Sequence, residues 1–534
     1  MTRTSATLCA VVCACVASSS VTARTSRDAR DKVATPAAPP PPRDVVVDAE
    51  VAPLLGDALK AIANDPALTG ARLGVAVYDV DDDRMLVESG ADQLINPASN
   101  AKLVTAAAAL GLLGPDYRWK TEYYANGRLA DGVLIGDLVV KGFGDPSVVT
   151  ERLQAVADRL YLAGVRRITG QIIVDDTVFD RVREAAGWEL EDAPDRAYAA
   201  PVGAVSLNYN AIGVAIRPGT NGAPAVVELE PNVEYATLEA QVATGRWTRR
   251  LNVASKEDKL TTRVIVDGEL GVREPPRRIY RRVYDPARYF GSALVHFLQA
   301  RGVSVKHRVA TGAVPAGSVL VHVDESPSLS RVVSDLNHYS NNFIAETIVK
   351  TIALERRGAP ATFADGLAEM RGFLARDVGI VEGSYVLGNG SGLNDVNRIA
   401  AKDVVRLLDW VDARYDVAPD FVASLAVAGT QGTIRHRMRE GPAERRVRAK
   451  TGTLRGVSAL SGYVVAPNDR VLAFSILVEG YGHDVRVSQI WAIQDQIVEA
   501  LATDGQSFVP TTVPDATDAV ALSAVVEAQP GGNP

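Results

Sequence analysis

Ser99 and Lys102 have the types and the spacing to do nucleophilic chemistry together. Three positions apart on a helix, they share one face. A serine hydroxyl needs a base to attack near neutral pH. An amine can be that base if burial or a neighbouring cation lowers its pKa well below the usual value of about 10.4. Scanning every serine, Ser99 is the only one with lysine three residues later. The segment Asn96-Pro97-Ala98-Ser99-Asn100-Ala101-Lys102 opens an apolar, alanine-rich run to Leu113, stopped by Gly114-Pro115. Asn96 suits an N-cap and Pro97 the first helical position. Ser99 is then expected in the first helical turn, where its unpaired N–H can meet an oxyanion. Taken alone, the pair also fits a capped surface helix carrying an incidental serine and lysine.

Two further segments complement this pair. Lys450-Thr451-Gly452-Thr453 holds the only Lys-Thr-Gly of the chain. It follows Val447-Arg448-Ala449 and is expected on a strand, where glycine permits close approach of a ligand. Lys450 offers a cation, and the Thr451 and Thr453 hydroxyls can bond a carboxylate. Ser340-Asn341-Asn342 lies between Leu336 and Phe343, in a helix or its approach. The Ser340 hydroxyl can relay a proton and the Asn342 amide can hold a substrate amide. Ser206-Leu207-Asn208 has the same form. Ser340 is preferred because it leads into the helical run from Phe343 to Ile352, outside a strand-rich insert.

Positioning these groups requires a scaffold. Leu73 to Val80 has strand character, Asp81 to Asp83 form a turn, and Met85 to Val87 return. Val457 to Ala466 and Val471 to Glu479 are apolar runs split by Pro467-Asn468-Asp469, a hairpin signal. A helix is expected from about Val485 to Leu501. Residues 120–328 are strand-rich with frequent glycine, proline and asparagine, and 329–430 return to helical patterning. A chain of 534 residues exceeds one core, so several domains are expected.

Ser-x-x-Lys, Ser-x-Asn and Lys-Thr-Gly, in that order, are the set shared by penicillin-binding proteins and class A β-lactamases. Over roughly residues 50–500 the chain resembles the class C low-molecular-mass penicillin-binding proteins, the D-Ala-D-Ala carboxypeptidase/endopeptidase family. Beyond the three motifs, the resemblance rests on Gly142-Phe143-Gly144-Asp145-Pro146, the run Ala200 to Asn208, Gly390-Ser391-Gly392-Leu393 and Val427 to Thr433. Ser99 and Ser340 lie more than two hundred positions apart. That spacing fits a family with domains inserted there and argues against a β-lactamase-like hydrolase. The intact motifs argue against a catalytically silent cell-wall scaffold.

The resemblance implies an α+β fold: a penicillin-binding/serine β-lactamase-like domain with a five-stranded antiparallel sheet and helices. It would comprise 44–119 and 329–504 and carry two inserted strand-rich domains, one from 120–143 with 210–328, the other 144–209. It implies Ser99 as the acylated nucleophile and Lys102 as its base. Ser340, Asn342 and Lys450 would complete the proton and binding network. Thr451 and Thr453, with Gly452 between them, would hold a terminal carboxylate, and the Ser99 and Thr453 N–H groups an oxyanion. Leu393 would line the side-chain pocket. Asp192 or Glu191 would meet a stem-peptide amine, unless this loop is merely a solvated acidic turn. The substrates would be peptidoglycan stem peptides, with β-lactam antibiotics as covalent inhibitors and no cofactor.

Other signals bound the reading. The net charge of −7 gives no basic footprint for nucleic acid. The six histidines show no metal-ligand spacing, and Gly142-Phe143-Gly144 is too short for a dinucleotide fingerprint. Arg3, the run Leu8 to Ala17 and Val21-Thr22-Ala23 match a cleavable export signal, placing the protein in the periplasm or cell envelope. A lipid anchor at Cys15 is the lesser alternative. Residues 24–43 are expected to be a proline-rich tether and 505–534 a disordered tail. No segment after the signal is apolar for long enough to span a bilayer.

Overall fold

The computed structural model describes residues 43–48, 53–306 and 309–505. The expected export signal, all but the end of the tether, and the tail beyond residue 505 lie outside them.

The two ends of the chain build one antiparallel sheet. Its strand order is Val46–Val47, Arg84–Ser89, Arg72–Asp79, Val471–Glu479, Val457–Val465, Val447–Leu454 and Ala426–Val427. The five long strands are those expected; a two-residue strand extends each edge. Alternation of side chains decides what covers each face. Val75, Val77, Leu460, Leu472, Phe474, Ile476 and Val478 point to one side. There they pack on helices Pro53–Ala63 and Val487–Leu501, through Leu55, Leu59, Ile490 and Ile497. The intervening Ala76, Ala459 and Ala473 face the other way. Their small side chains let the helix Ala401–Asp412 approach closely. Because both faces are covered, Val457–Val465 and Val471–Glu479 are almost wholly buried, which accounts for their largely apolar, non-alternating sequences.

The hairpin at Pro467-Asn468-Asp469 forms as expected. Asn468 and Asp469 take φ of 63° and 59°, a region that asparagine and aspartate tolerate. The C-terminal helix begins at Val487, two residues later than expected. Region 329–430 is helical, with Leu329–Tyr339, Asn342–Arg357, Phe363–Phe373, Ala401–Asp412 and Ala418–Ser424. Among the described residues, no helix is long and apolar enough to cross a membrane.

The region 120–328 is strand-rich as expected, with its own core. One sheet joins Lys120–Ala130, Val133–Gly142, Arg167–Ile168, Ile172–Asp175, Ser304–Val305, Val309–Thr311 and Val319–Glu325. Two three-stranded sheets lie between them in sequence. Arg167–Ile168 and Ile172–Asp175, expected in a separate 144–209 unit, pair in parallel with Val133–Gly142. Parallel partners need a crossover, and helix Thr150–Leu162 supplies it, so pairing runs across the boundary expected at 143/144. Val178, Phe179, Trp188, Ala199 and Val202 leave the insert's core and join that of helices Ala101–Leu113 and Asn342–Arg357.

Candidate active site

Asn96 Oδ1 accepts the Ala98 N–H at 2.8 Å, but Pro97, not Asn96, takes the N-cap position of the turn bearing Ser99. The turn is tighter than expected. Ala98–Asn100 is a 3₁₀ turn, Ala98 has φ of 45°, and the α-helix begins at Ala101. Two glycines press against this turn. A Cβ on Gly452 would lie 2.6 Å from the Pro97 carbonyl oxygen, and one on Gly392 would lie 1.8 Å from that of Ala98. Neighbours this close force the tight turn and leave Ser99 half-exposed between them.

Lys102 is fully buried. Its Nζ lies 2.9 Å from Ser99 Oγ and donates to Asn342 Oδ1 at 2.7 Å and to the Ser391 carbonyl at 2.6 Å. Burial, then the charge of Lys450, hold the Lys102 amine far below its ordinary pKa, against the opposing pull of Glu346. Lys450 is also fully buried, and desolvation pushes its pKa down to about 7. Its Nζ donates to Ser340 Oγ and to the Thr451 carbonyl, each at 2.8 Å.

Ser340 sits where two helices meet. It ends Leu329–Tyr339 in the left-handed region, with φ of 55°, and Asn341 caps the next helix by accepting the Ile344 N–H at 3.1 Å. This kink aims Ser340 at Lys450 while Asn342, on the new helix, faces Lys102. Asn342 Nδ2 donates to the Tyr198 carbonyl at 3.1 Å, tying the site to the insert. Ser206, the alternative match to Ser-x-Asn, is buried and donates to the Gly203 carbonyl at 3.1 Å within the insert.

Lys450, Thr451, Gly452 and Thr453 lie on strand Val447–Leu454. Thr451 bonds Thr433 through their hydroxyls at 2.9 Å, and Thr453 is exposed. The chemistry available here is acyl transfer: a hydroxyl beside a buried amine, a second cation, and hydroxyls able to take a carboxylate.

The family model for D-Ala-D-Ala carboxypeptidase 3 (S13) matches residues 55–503. The chain belongs to that family. It is 36% identical over 463 residues to the D-alanyl-D-alanine carboxypeptidase of Actinomadura sp., covering 84% of each chain. The D-alanyl-D-alanine carboxypeptidase DacB of Haemophilus influenzae is 24% identical over 418 residues, which span 77% of this chain and 86% of that one. The fold matches the crystal structure of penicillin binding protein 4 from Haemophilus influenzae with a TM-score of 0.71 at 22% identity, over 82% of this chain and 97% of that one. The class C penicillin-binding resemblance of the motifs therefore holds over residues 55–503.

Within this S13 family member, Leu393 is buried at the end of the Gly390-Ser391-Gly392 loop. The two acidic candidates part company. Glu191 accepts the Tyr198 hydroxyl at 2.7 Å. Asp192 is 87% exposed and lies 3.3 Å from Arg455, just past the end of the Lys-Thr-Gly strand. Three participants escaped the motif search: the Ser391 and Tyr198 carbonyls and the Glu346 carboxylate. The carbonyls are backbone groups with no side-chain signature. Glu346 had one weak signal, an acid inside the apolar helical run Phe343 to Ile352.

Proposed function

We propose that this S13 family member is a serine-type D-Ala-D-Ala carboxypeptidase acting through a Ser99 acyl-enzyme. The observation that carries the reading is the meeting of Ser99, Lys102 and Asn342 in one bonded cluster, with the Lys450–Ser340 pair beside it. Ser99 Oγ attacks the carbonyl of the D-Ala-D-Ala peptide bond as the Lys102 amine takes its proton. The oxyanion meets the N–H groups of Ser99 and Thr453. Lys450, Thr451 and Thr453 hold the terminal carboxylate, and Gly452 lets the strand lie close to the substrate. The proton returns to the departing D-Ala amine directly or through Ser340. Water then hydrolyses the ester.

A cross-linked donor undergoes the same steps, so endopeptidase action on peptidoglycan is part of the proposal. A β-lactam presents a strained amide to the same serine and leaves a covalent adduct. Leu393 lines the side-chain pocket, and Asp192 meets a stem-peptide amine. The export signal expected at residues 1–23 supports action in the periplasm or cell envelope.

Intact-protein mass after incubation with benzylpenicillin tests the proposal. A lasting adduct mapped to Ser99, and none on Ser99→Ala, is the expected result. Rapid turnover without an adduct marks a β-lactamase, no reaction a silent scaffold, and label on another serine overturns the assignment of Ser99.

A further inference from the structure

We infer that Glu346 is a positioning residue: it fixes the loop carbonyl that, with Asn342, aims the Lys102 amine at Ser99. The inference rests on the reading of Ser99 and Lys102 given above.

Glu346 lies one helical turn beyond Asn342 and is fully buried. One carboxylate oxygen accepts the Ser391 N–H at 2.7 Å, and the other accepts the Gly390 N–H at 3.2 Å. The same loop is held from two other sides. Thr105 Oγ1 donates to the Gly390 carbonyl at 2.7 Å, and Asn389 Oδ1 accepts the Gly392 N–H at 2.8 Å. The Ser391 carbonyl so fixed is the acceptor nearest to Lys102 Nζ.

A neutral amine has two N–H bonds and one lone pair. At Lys102 the Asn342 and Ser391 oxygens can take both hydrogens. The lone pair is then left facing the third neighbour, Ser99 Oγ. Without the Ser391 carbonyl in place, the amine is free to turn its lone pair elsewhere. A glutamine at 346 would set its NH₂ group against one of the two backbone donors and release that side of the loop.

The charge of Glu346 leaves a separate mark. Lys450 and Glu346 are the charged groups that bear on Lys102, in opposite senses. Burial raises the Glu346 pKa, while its hydrogen bonds and Lys102 favour the ionised form. Removing an anion makes ammonium less favourable, so the Lys102 limb moves to lower pH.

The test is benzylpenicillin acylation of the full chain, followed as rate against concentration and pH, for the parent, Glu346→Gln and Glu346→Asp. For Glu346→Gln, the saturating acylation rate should fall by about tenfold or more, with the apparent Kd within about twofold and the acidic limb at lower pH. Glu346→Asp keeps the carboxylate and should keep the limb in place while losing less rate. It also serves as the test if Glu346→Gln does not fold. A saturating rate within about twofold of the parent in the folded variants overturns the inference. So does a loss of rate in Glu346→Gln with an unmoved limb and a lowered melting temperature, the mark of a merely structural acid. If the parent is not acylated at Ser99, the underlying reading fails. An acylated parent with an unaffected Glu346→Gln overturns only this inference.

Discussion

Two lysines are buried within one site, and each has a different task. On the proposed mechanism, Lys102 must lose its proton to act, whereas Lys450 serves as a cation. Burial and the Lys450 charge favour the neutral form of Lys102. A guanidinium cannot deprotonate at accessible pH. Lys102→Arg should therefore lose about a thousandfold in penicillin acylation, within the usual range for a lost general base. Lys450→Arg, which keeps the charge, should retain far more. Stopped-flow acylation of the two variants checks both, and substantial acylation by Lys102→Arg removes Lys102 from the role of base. The pH profile carries the same logic. Acylation should rise with pH along a limb well below the midpoint of free lysine. Lys450, at about 7 in the free protein, loses its cation above that pH. Peptide affinity should therefore weaken as pH rises further, with a bound carboxylate moving the midpoint upward. A KM for a D-Ala-D-Ala peptide that stays flat from pH 6 to pH 9 would contradict this role for Lys450.

At the scale of elements, the site depends on how closely backbones can meet. The Ser99 turn is wedged between the Lys-Thr-Gly strand and the 389–392 loop, and glycine at both contacts makes this possible. Gly392 has φ of 75°, and its Cβ position falls on the Ala98 carbonyl. Gly392→Ala combines a left-handed backbone with a clash that no rotamer relieves. It should destabilise the fold by about 2–3 kcal/mol, measured by urea denaturation. It should also slow acylation by more than that loss explains, because the displaced groups are the Ser99 turn and the loop carrying the Ser391 carbonyl. A variant as stable and as active as the parent would show that the loop and turn can separate freely. The kink at Ser340 works in the same way. By ending one helix before Asn342 starts the next, it serves both lysines from three consecutive residues.

For the molecule as a whole, the insert is more than a passenger. Val178, Phe179, Trp188, Ala199, Val202 and Tyr209 join the core of helices Ala101–Leu113 and Asn342–Arg357, and the Tyr198 carbonyl holds Asn342. Lys350, fully buried on the same helix as Asn342, pairs with Asp180 and donates to the Val182 carbonyl in the insert. Removing the acid leaves a buried ammonium without its counter-charge. Asp180→Ala should cost about 3 kcal/mol, read as a lower unfolding midpoint. The acylation rate of the folded fraction should fall only modestly, because the insert supplies no reacting group. An unchanged midpoint would mean that Lys350 is neutral and the pair contributes little. Asp192 and Glu191, also in this segment, give a test of substrate choice. Neutralising both should weaken hydrolysis of peptides bearing a free side-chain amine and leave penicillin acylation nearly unchanged.

Local pattern carried much of this protein. The unique Ser99–Lys102 and Lys450–Gly452 spacings and the Pro467-Asn468-Asp469 hairpin are short-range features, and each is legible because neighbours in sequence decide it. The five long strands were legible for the same reason, through apolar runs bounded by turn residues. What escaped depends on partners far away in the chain. The tight turn at Ala98 is imposed by Gly392 and Gly452, and the Arg167–Asp175 strands pair across an expected boundary because a parallel partner lies beyond a crossover helix. The lowered pKa values of Lys102 and Lys450 come from burial that no local pattern records. The Ser391 and Tyr198 carbonyls belong to every residue type alike, so only the packing of the folded chain could select them.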